Sequence, residues 1–212
     1  MRPKEGFMSK GQQEEARPMT MSIEELREIA TRLRTEGLNS QQIADELSLS
    51  QDTVAWLLAG TQGRDAPTDV RIGWRTIGVK PERIEAIGDI MADVTAEETG
   101  HDPIDTVVGI SINGIVFAQE TAKNLGAEVA ILRNIEGGPG QGALSDKYGR
   151  VSGKRVAIID DVLSSGVTMS RTIEAVREAG GTPVLAVVLV NKTMRNEIDN
   201  VPLRGIIRAV PV

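Results

Sequence analysis

Two adjacent carboxylates, Asp160 and Asp161, stand between an apolar run and a hydroxyl-rich loop in V-A-I-I-D-D-V-L-S-S-G-V-T, residues Val156–Thr168. Paired aspartates set several acceptor lone pairs side by side, which is what two neighbouring ribose hydroxyls require. Ser164, Ser165, Gly166, Val167 and Thr168 follow in one short loop. Hydroxyls, free backbone N–H groups and the positive end of a helix are the groups that hold a phosphate. The apolar run ahead of them predicts a buried strand. The segment therefore reads as a strand ending in a phosphate cradle, at the strand end where open α/β sheets bind ligands.

A second set of polar residues lies in S-Q-Q-I-A-D-E-L-S-L-S-Q-D-T-V-A-W-L-L-A, residues 40–59. The pattern fits a helix-turn-helix. Ile43, Ala44 and Leu47 face inward from the first helix, Leu49 plugs the turn, and Val54 and Leu57 anchor the second helix. Ser48 stands where glycine is commonest. Ser50, Gln51, Asp52 and Thr53 then face outward at the start of the second helix, where such motifs meet base edges. Gln can read adenine, and Thr can contact a phosphate or a thymine methyl. The competing reading is a hairpin used for packing or dimerisation, and charge favours it. From Ser22 to Gly60 there are seven acids and three bases, and the second helix has no Lys or Arg. Phosphate neutralisation supplies much of DNA affinity, so Arg64, Arg71, Arg75, Lys80, Arg83 or the tail bases Arg2, Lys4, Lys10 and Arg17 would have to supply it.

The elements that must position these groups are legible in part. Residues 1–20 are polar and read as a flexible tail. Ser22 and Glu25 form a capping box for a helix to Glu36, with Gly37 ending it. Residues 21–60 read as a small all-α helix-turn-helix domain. Residues 61–103 read as a linker and accessory segment, with irregular or strand structure over Asp69–Val79 and a helix over Pro81–Glu98. From 104 to 212 the pattern is βα. Strands are predicted at Ile104–Ser111, Glu128–Arg133, Lys154–Val162, Thr182–Asn191 and Leu203–Val210. Helices are predicted at Gly114–Leu125 and Thr168–Ala179, and a long Gly-rich loop at Asn134–Ser152. Strands joined by helices of this length imply right-handed crossovers and a parallel sheet. Trp56 reads as a packing residue, Trp74-Arg75 as cement at a junction, and His101 as a surface residue.

Composition removes several chemistries. With no cysteine there are no disulfides, thiolate metal sites or Cys nucleophiles, which fits a reducing cytoplasm. One histidine excludes a multi-His metal site. No stretch approaches the roughly 18 apolar residues of a membrane-spanning helix. A net charge of −6 provides no global field toward nucleic acid or membrane.

Val156–Thr168 resembles the phosphoribosyl-pyrophosphate (PRPP) motif of type I phosphoribosyltransferases. The resemblance implies that fold, an α/β parallel sheet, here preceded by the helix-turn-helix domain. It assigns Asp160 and Asp161 to the ribose and Ser164–Thr168 to the 5′-phosphate. Ser111, Ile112, Asn113 and Gly114, with Arg133, fall where that family binds pyrophosphate, and Mg²⁺ would accompany PRPP, mostly through water, with no metal ligand from the protein. Orotate phosphoribosyltransferases are the nearest branch, and they carry a cation-rich catalytic loop. In the matching stretch Arg133–Gly142 only Arg133 is basic, Asn134 replaces a cation and Glu136 has the wrong sign. Cations there stabilise departing pyrophosphate, so the pocket reads as kept for binding and impaired for turnover, with no catalytic residue assigned. The chain after residue 20, including D-V-R-I-G-W-R-T-I-G at Asp69–Gly78, resembles archaeal orotate phosphoribosyltransferase-like regulators of the GfcR type. That resemblance implies a transcriptional regulator of sugar-catabolism genes, binding promoter DNA as a homodimer or larger oligomer and sensing PRPP or a related phosphorylated metabolite. The loop Asn134–Ser152 is expected to order on binding. The alternative is an active orotate-type phosphoribosyltransferase with an N-terminal oligomerisation module.

Overall fold

The structure, a computed structural model, describes residues 21–60, 66–100, 102–134 and 142–210. The tail 1–20, residues 61–65 with Arg64, His101 and the loop residues 135–141 lie outside the described residues, and the expectations made for them go no further here.

Three helices come first: α1 (Ile23–Thr35), α2 (Ser40–Leu47) and α3 (Gln51–Ala59). Local chemistry sets their ends. Ser22 and Glu25 form the expected capping box on α1, and Asn39 and Gln42 form a second one on α2. Each satisfies two orphan N–H groups at a helix start. Ser48 ends α2 in the left-handed region, with φ 52 and ψ 43. Ile43, Ala44, Leu47, Leu49, Val54 and Leu57, with Ala30 of α1, are all buried in one apolar cluster.

A short helix α4 (Arg75–Gly78) and a long one, α5 (Pro81–Thr99), lead into the sheet. The remaining elements are β1 (Thr106–Ile110), α6 (Gly114–Leu125), β2 (Glu128–Asn134), β3 (Gly142–Leu144), β4 (Arg155–Leu163), α7 (Val167–Glu178), β5 (Thr182–Asn191), β6 (Glu197–Ile198) and β7 (Val201–Arg208). The strand order is β3-β2-β1-β4-β5-β7-β6. Its inner pairs are parallel, and β3 and β6 close the two edges antiparallel.

Alternation along the strands fills both faces. Val108, Ile158 and Val188 pack with Ile173 and Val176 of α7, while Val107, Ala157, Ile159 and Val187 pack with Phe117 and Ala118 of α6 and Met91 of α5. A parallel sheet covered on both faces accounts for the unbroken apolar runs.

The structure adds to expectation in three places. Asp69–Val79, expected as irregular or strand, is irregular as far as Trp74 and then forms α4, and the Trp74 ring packs on Phe117, centroids 5.5 Å apart. Gly78 makes this possible, since a Cβ there would lie 2.6 Å from the Trp74 ring. The supposed loop Asn134–Ser152 carries β3, which pairs Leu132 with Leu144 and Arg133 with Ala143 and sets Leu144 on the core. The two-residue strand β6 was not anticipated.

Candidate functional site

Strand β4 delivers Asp160 and Asp161 to the carboxyl edge of the sheet, as its apolar run requires. Asp161 is buried, and one of its oxygens, Oδ2, accepts from Trp74 Nε1 (2.9 Å) and Asn113 Nδ2 (3.0 Å). Asp160 Oδ1 accepts the Asp161 N–H at 2.9 Å. Burial pushes the Asp160 carboxyl well above the usual carboxylate range, and the charges of Asp161 and then Asp45 add to this.

The loop after β1 leans on this edge. A Cβ on Gly114 would lie 2.7 Å from the Ile159 carbonyl oxygen and 3.0 Å from Asp160 Oδ1, and one on Gly109 would meet Ala118 and Ile115 at 2.9 Å. Glycine is required here so that α6 can start against β4. The Ser111–Ile112 peptide bond in this loop is cis.

A cavity of about 60 Å³ sits between the two loops. Asp160, Asp161, Ser164, Ser165, Gly166 and Thr168 line one side, and Ser111, Ile112 and Asn113 the other. Gly166 is the N-cap of α7 with φ 83, and no side chain caps that helix. The Val167 N–H donates weakly to Ser165 Oγ at 3.4 Å, and the positive end of the helix dipole stands behind this loop. Val167 is exposed and Gly114 lies behind the wall; neither lines the cavity, and nor does Arg133, exposed near the end of β2. Arg195, which the sequence did not single out, has its guanidinium 3.3 Å from where a Gly166 Cβ would stand. It brings a cation beside the loop that only the three-dimensional fold reveals.

The rest of the cavity wall comes from the N-terminal helices. Ala44, Asp45, Leu49 and Gln51 line it, and Gln41 Nε2 donates to Thr168 Oγ1 at 3.0 Å. Gln41 and Asp45 lie four apart on one face of α2, a spacing that also describes any solvated helix face. Though Asp45 is exposed on its outer side, its carboxyl crowds the cavity. Burial and the Asp161 charge push it up to about 7.

Two of the residues expected to read DNA, Ser50 and Thr53, are turned to other partners, while Gln51 and Asp52 are exposed. The Ser50 N–H and the Thr53 hydroxyl both donate to Asp69 Oδ2, at 2.7 and 2.8 Å. Ser50 Oγ also caps the Thr53 N–H. Thr53 is buried, Gln51 lies over the cavity, and Asp52 is exposed. Asp69 in turn pairs with Lys192 at 2.5 Å, both side chains nearly sealed from solvent. Burial alone would raise the Asp69 carboxyl; the hydrogen bonds from Lys192, Ser50 and Thr53 and the Lys192 charge outweigh it and hold the group below its ordinary value. Among the described residues no group of three or more His, Cys, Asp or Glu is arranged to hold a metal ion, and no helix is long and apolar enough to cross a membrane.

A mostly parallel sheet, an acidic pair at the end of its central strand and a hydroxyl loop opening the next helix define a phosphoribosyltransferase-type domain. The phosphoribosyl transferase domain family matches residues 73–206. The fold is shared with orotate phosphoribosyltransferase from Aeropyrum pernix (22% identity, TM-score 0.54, 70% of this chain and 83% of that one). Adenine phosphoribosyltransferase from Thermoanaerobacter pseudethanolicus is also similar (17%, 0.55, 69% and 91%). Two curated relatives are more alike in sequence. The transcriptional regulator GfcR of Thermoplasma acidophilum is 42% identical over 190 residues, 88% of this chain and 96% of that one. GfcR of Picrophilus torridus is 40% identical over 194 residues, 90% and 99%. The chain belongs to the GfcR family of transcriptional regulators.

Proposed function

We propose that this regulator binds promoter DNA of sugar-catabolism genes through residues 21–60 and senses PRPP or a related phosphorylated metabolite through the core at 104–212, with 61–103 as linker and accessory segment. The observation that carries the sensing role is the cradle itself, where four residues of the Ser164–Thr168 loop face a cavity at an uncapped helix start, opposite a glycine-dependent loop. Asp160 and the remaining oxygen of Asp161 receive the ribose hydroxyls. Ser164, Ser165, Gly166 and Thr168 hold the 5′-phosphate, and Ser111, Ile112 and Asn113 the pyrophosphate; Val167, Gly114 and Arg133, assigned with them from the sequence, stand outside the cavity wall and would contribute only if the site rearranges around ligand.

On the sheet side two carboxylates, Asp160 and Asp161, and no basic side chain line the cavity among the described residues. A bare polyanion is poorly matched to such a wall, whereas PRPP carrying Mg²⁺ on its own oxygens and on water suits it. The DNA-reading role of Ser50, Gln51, Asp52 and Thr53 rests on the buried α2–turn–α3 pattern and the regulator family. The protein acts in the cytoplasm as a homodimer or larger oligomer, whose half-sites would be about one helical turn, or multiples of it, apart.

The test is a titration of promoter fragments selected by the protein, with and without PRPP and Mg²⁺, assaying nucleotide formation from orotate in the same tube. Ligand-dependent DNA binding without turnover is expected. Turnover at ordinary enzyme rates would instead make the chain an active phosphoribosyltransferase.

A further inference from the structure

We propose that the N-terminal helices and the phosphate cradle form one switch: docked as seen here, α2 and α3 narrow the ligand site and tie the start of α3 to Asp69, and ligand entering the cradle expels them and frees α3 for DNA. This rests on the reading of the cavity as a sugar-phosphate site. It goes further by assigning the sign of regulation, with ligand promoting DNA binding.

Space is the first argument. The cavity beneath the helices is about 60 Å³ and opens partly to solvent, whereas small-molecule pockets run to roughly 300–1000 Å³. PRPP, a pentose bearing a phosphate and a diphosphate, does not fit beneath the helices. Shared atoms are the second. Thr168 Oγ1, a cradle hydroxyl, already receives the Gln41 amide. The Asp45 carboxylate faces the position that anionic ligand oxygens would take, and like charges there repel.

Occupied reading groups are the third argument. Ser50 and Thr53 donate to Asp69, while Gln51, at the cavity rim, and Asp52 are exposed. With two of its four polar groups held, the start of α3 cannot offer its full polar face to a major groove in this arrangement. The apolar cluster of α1–α3 is separate from the two clusters that sandwich the sheet. The module can therefore leave the sheet without opening its own core. Its principal fastening is the buried Asp69–Lys192 pair with the Ser50 and Thr53 bonds gathered on it. A ligand with affinity only for the open form shifts the equilibrium toward it, and DNA binding that same form adds cooperatively.

The experiment uses the full chain. Amide hydrogen exchange at Ser50, whose N–H donates to Asp69, is followed while PRPP with Mg²⁺ is added, with ligand affinity and promoter affinity measured on the same samples. The expected result is at least tenfold faster exchange at this amide and at least tenfold tighter DNA binding at saturating PRPP. Lys192→Met, which strands Asp69, should open the helices without ligand. Exchange is then fast from the start, PRPP binds at least tenfold tighter, and DNA binding no longer depends on PRPP. Gln41→Ala, which leaves every fastening but one, should move all three readings the same way by a few-fold. PRPP that binds while the Ser50 amide stays protected would overturn the switch and leave the pocket standing. So would PRPP that weakens DNA binding. Failure of PRPP to bind wild type, Lys192→Met and Gln41→Ala alike would remove the pocket reading, and the switch with it.

Discussion

The end of β4 and the start of α3 both present small polar side chains at a helix N-terminus, yet they are held very differently. Ser164–Thr168 hangs from a central strand whose neighbours on both sides are parallel and whose two faces are covered by apolar clusters. Ser50–Thr53 hangs from a three-helix cluster that touches the rest of the molecule through Gln41, Asp69 and the cavity rim. The first is fixed by burial, which only global unfolding undoes. The second is fixed by polar contacts, which a competing ligand can replace. Elements that move in regulation are drawn from the less stable end of a structure, and here that end is the N-terminal module.

The contrast is broken most severely from inside the two cores. Ile158→Ala and Ile43→Ala each remove a fully buried side chain, at a cost of about 2–5 kcal/mol. Ile158→Ala should lower the main thermal transition and abolish PRPP and DNA binding together. Ile43→Ala should unravel only α1–α3, seen as lost helical circular dichroism and lost DNA binding, with PRPP binding kept or tightened. Coincident loss of both activities in Ile43→Ala would mean the module is not separable.

Gly114→Ala comes next, because its Cβ would press on the backbone of β4. Overpacking of this kind costs about 1–3 kcal/mol. PRPP affinity should fall, while exchange at the Ser50 amide is less affected.

A pH effect of intermediate size follows from Asp45. Its carboxyl stands at about 7 when docked, against 3.8 ordinarily. The closed form thus holds the proton more tightly. Docking is strongest below the ordinary value and weakens as pH rises through about 7. Asp160, raised in the same direction and facing Asp45 from β4, reinforces the trend. Exchange at the Ser50 amide, corrected for its intrinsic pH dependence, should accelerate from pH 5 to 8 in wild type, and Asp45→Asn should flatten the curve. The smallest effect is at Ser48. Glycine at its φ of 52 relieves a left-handed conformation that costs about 1 kcal/mol for other residues. Ser48→Gly should raise the module's stability by up to that amount in denaturant melts, without altering PRPP affinity.

Much of this was readable from local pattern. The capping box at Ser22, the six buried positions of α2 and α3, and the run into Asp160 are properties of residues a few places apart. So is the fold class, since βα alternation implies a parallel sheet. Strand β3 was hidden because three residues, Gly142–Leu144, become a strand only by pairing with β2. The Asp69–Lys192 pair, the Trp74–Asp161 bond and the Gln41–Thr168 bond join residues 123, 87 and 127 positions apart, and no local pattern announces such partners. The stretch Asp69–Gly78 carried the family resemblance, and the structure supplies physical reasons for its residues. Asp69 fastens α3, Trp74 braces Asp161, and Gly78 makes room for the indole. What the sequence could not reveal was that the two polar loops it singled out lie against each other.

The central claim is that the β4–α7 edge binds a ribose phosphate bearing a diphosphate. Calorimetric titration of the full chain with PRPP and Mg²⁺, beside Asp160→Asn, tests it most directly. Asp160 is chosen because Asp161 also braces Trp74 and Asn113, so its loss would confound binding with packing. The account predicts saturable binding, one PRPP per chain, weakened at least tenfold in Asp160→Asn at unchanged thermal stability. Binding of equal strength in the two proteins would contradict it.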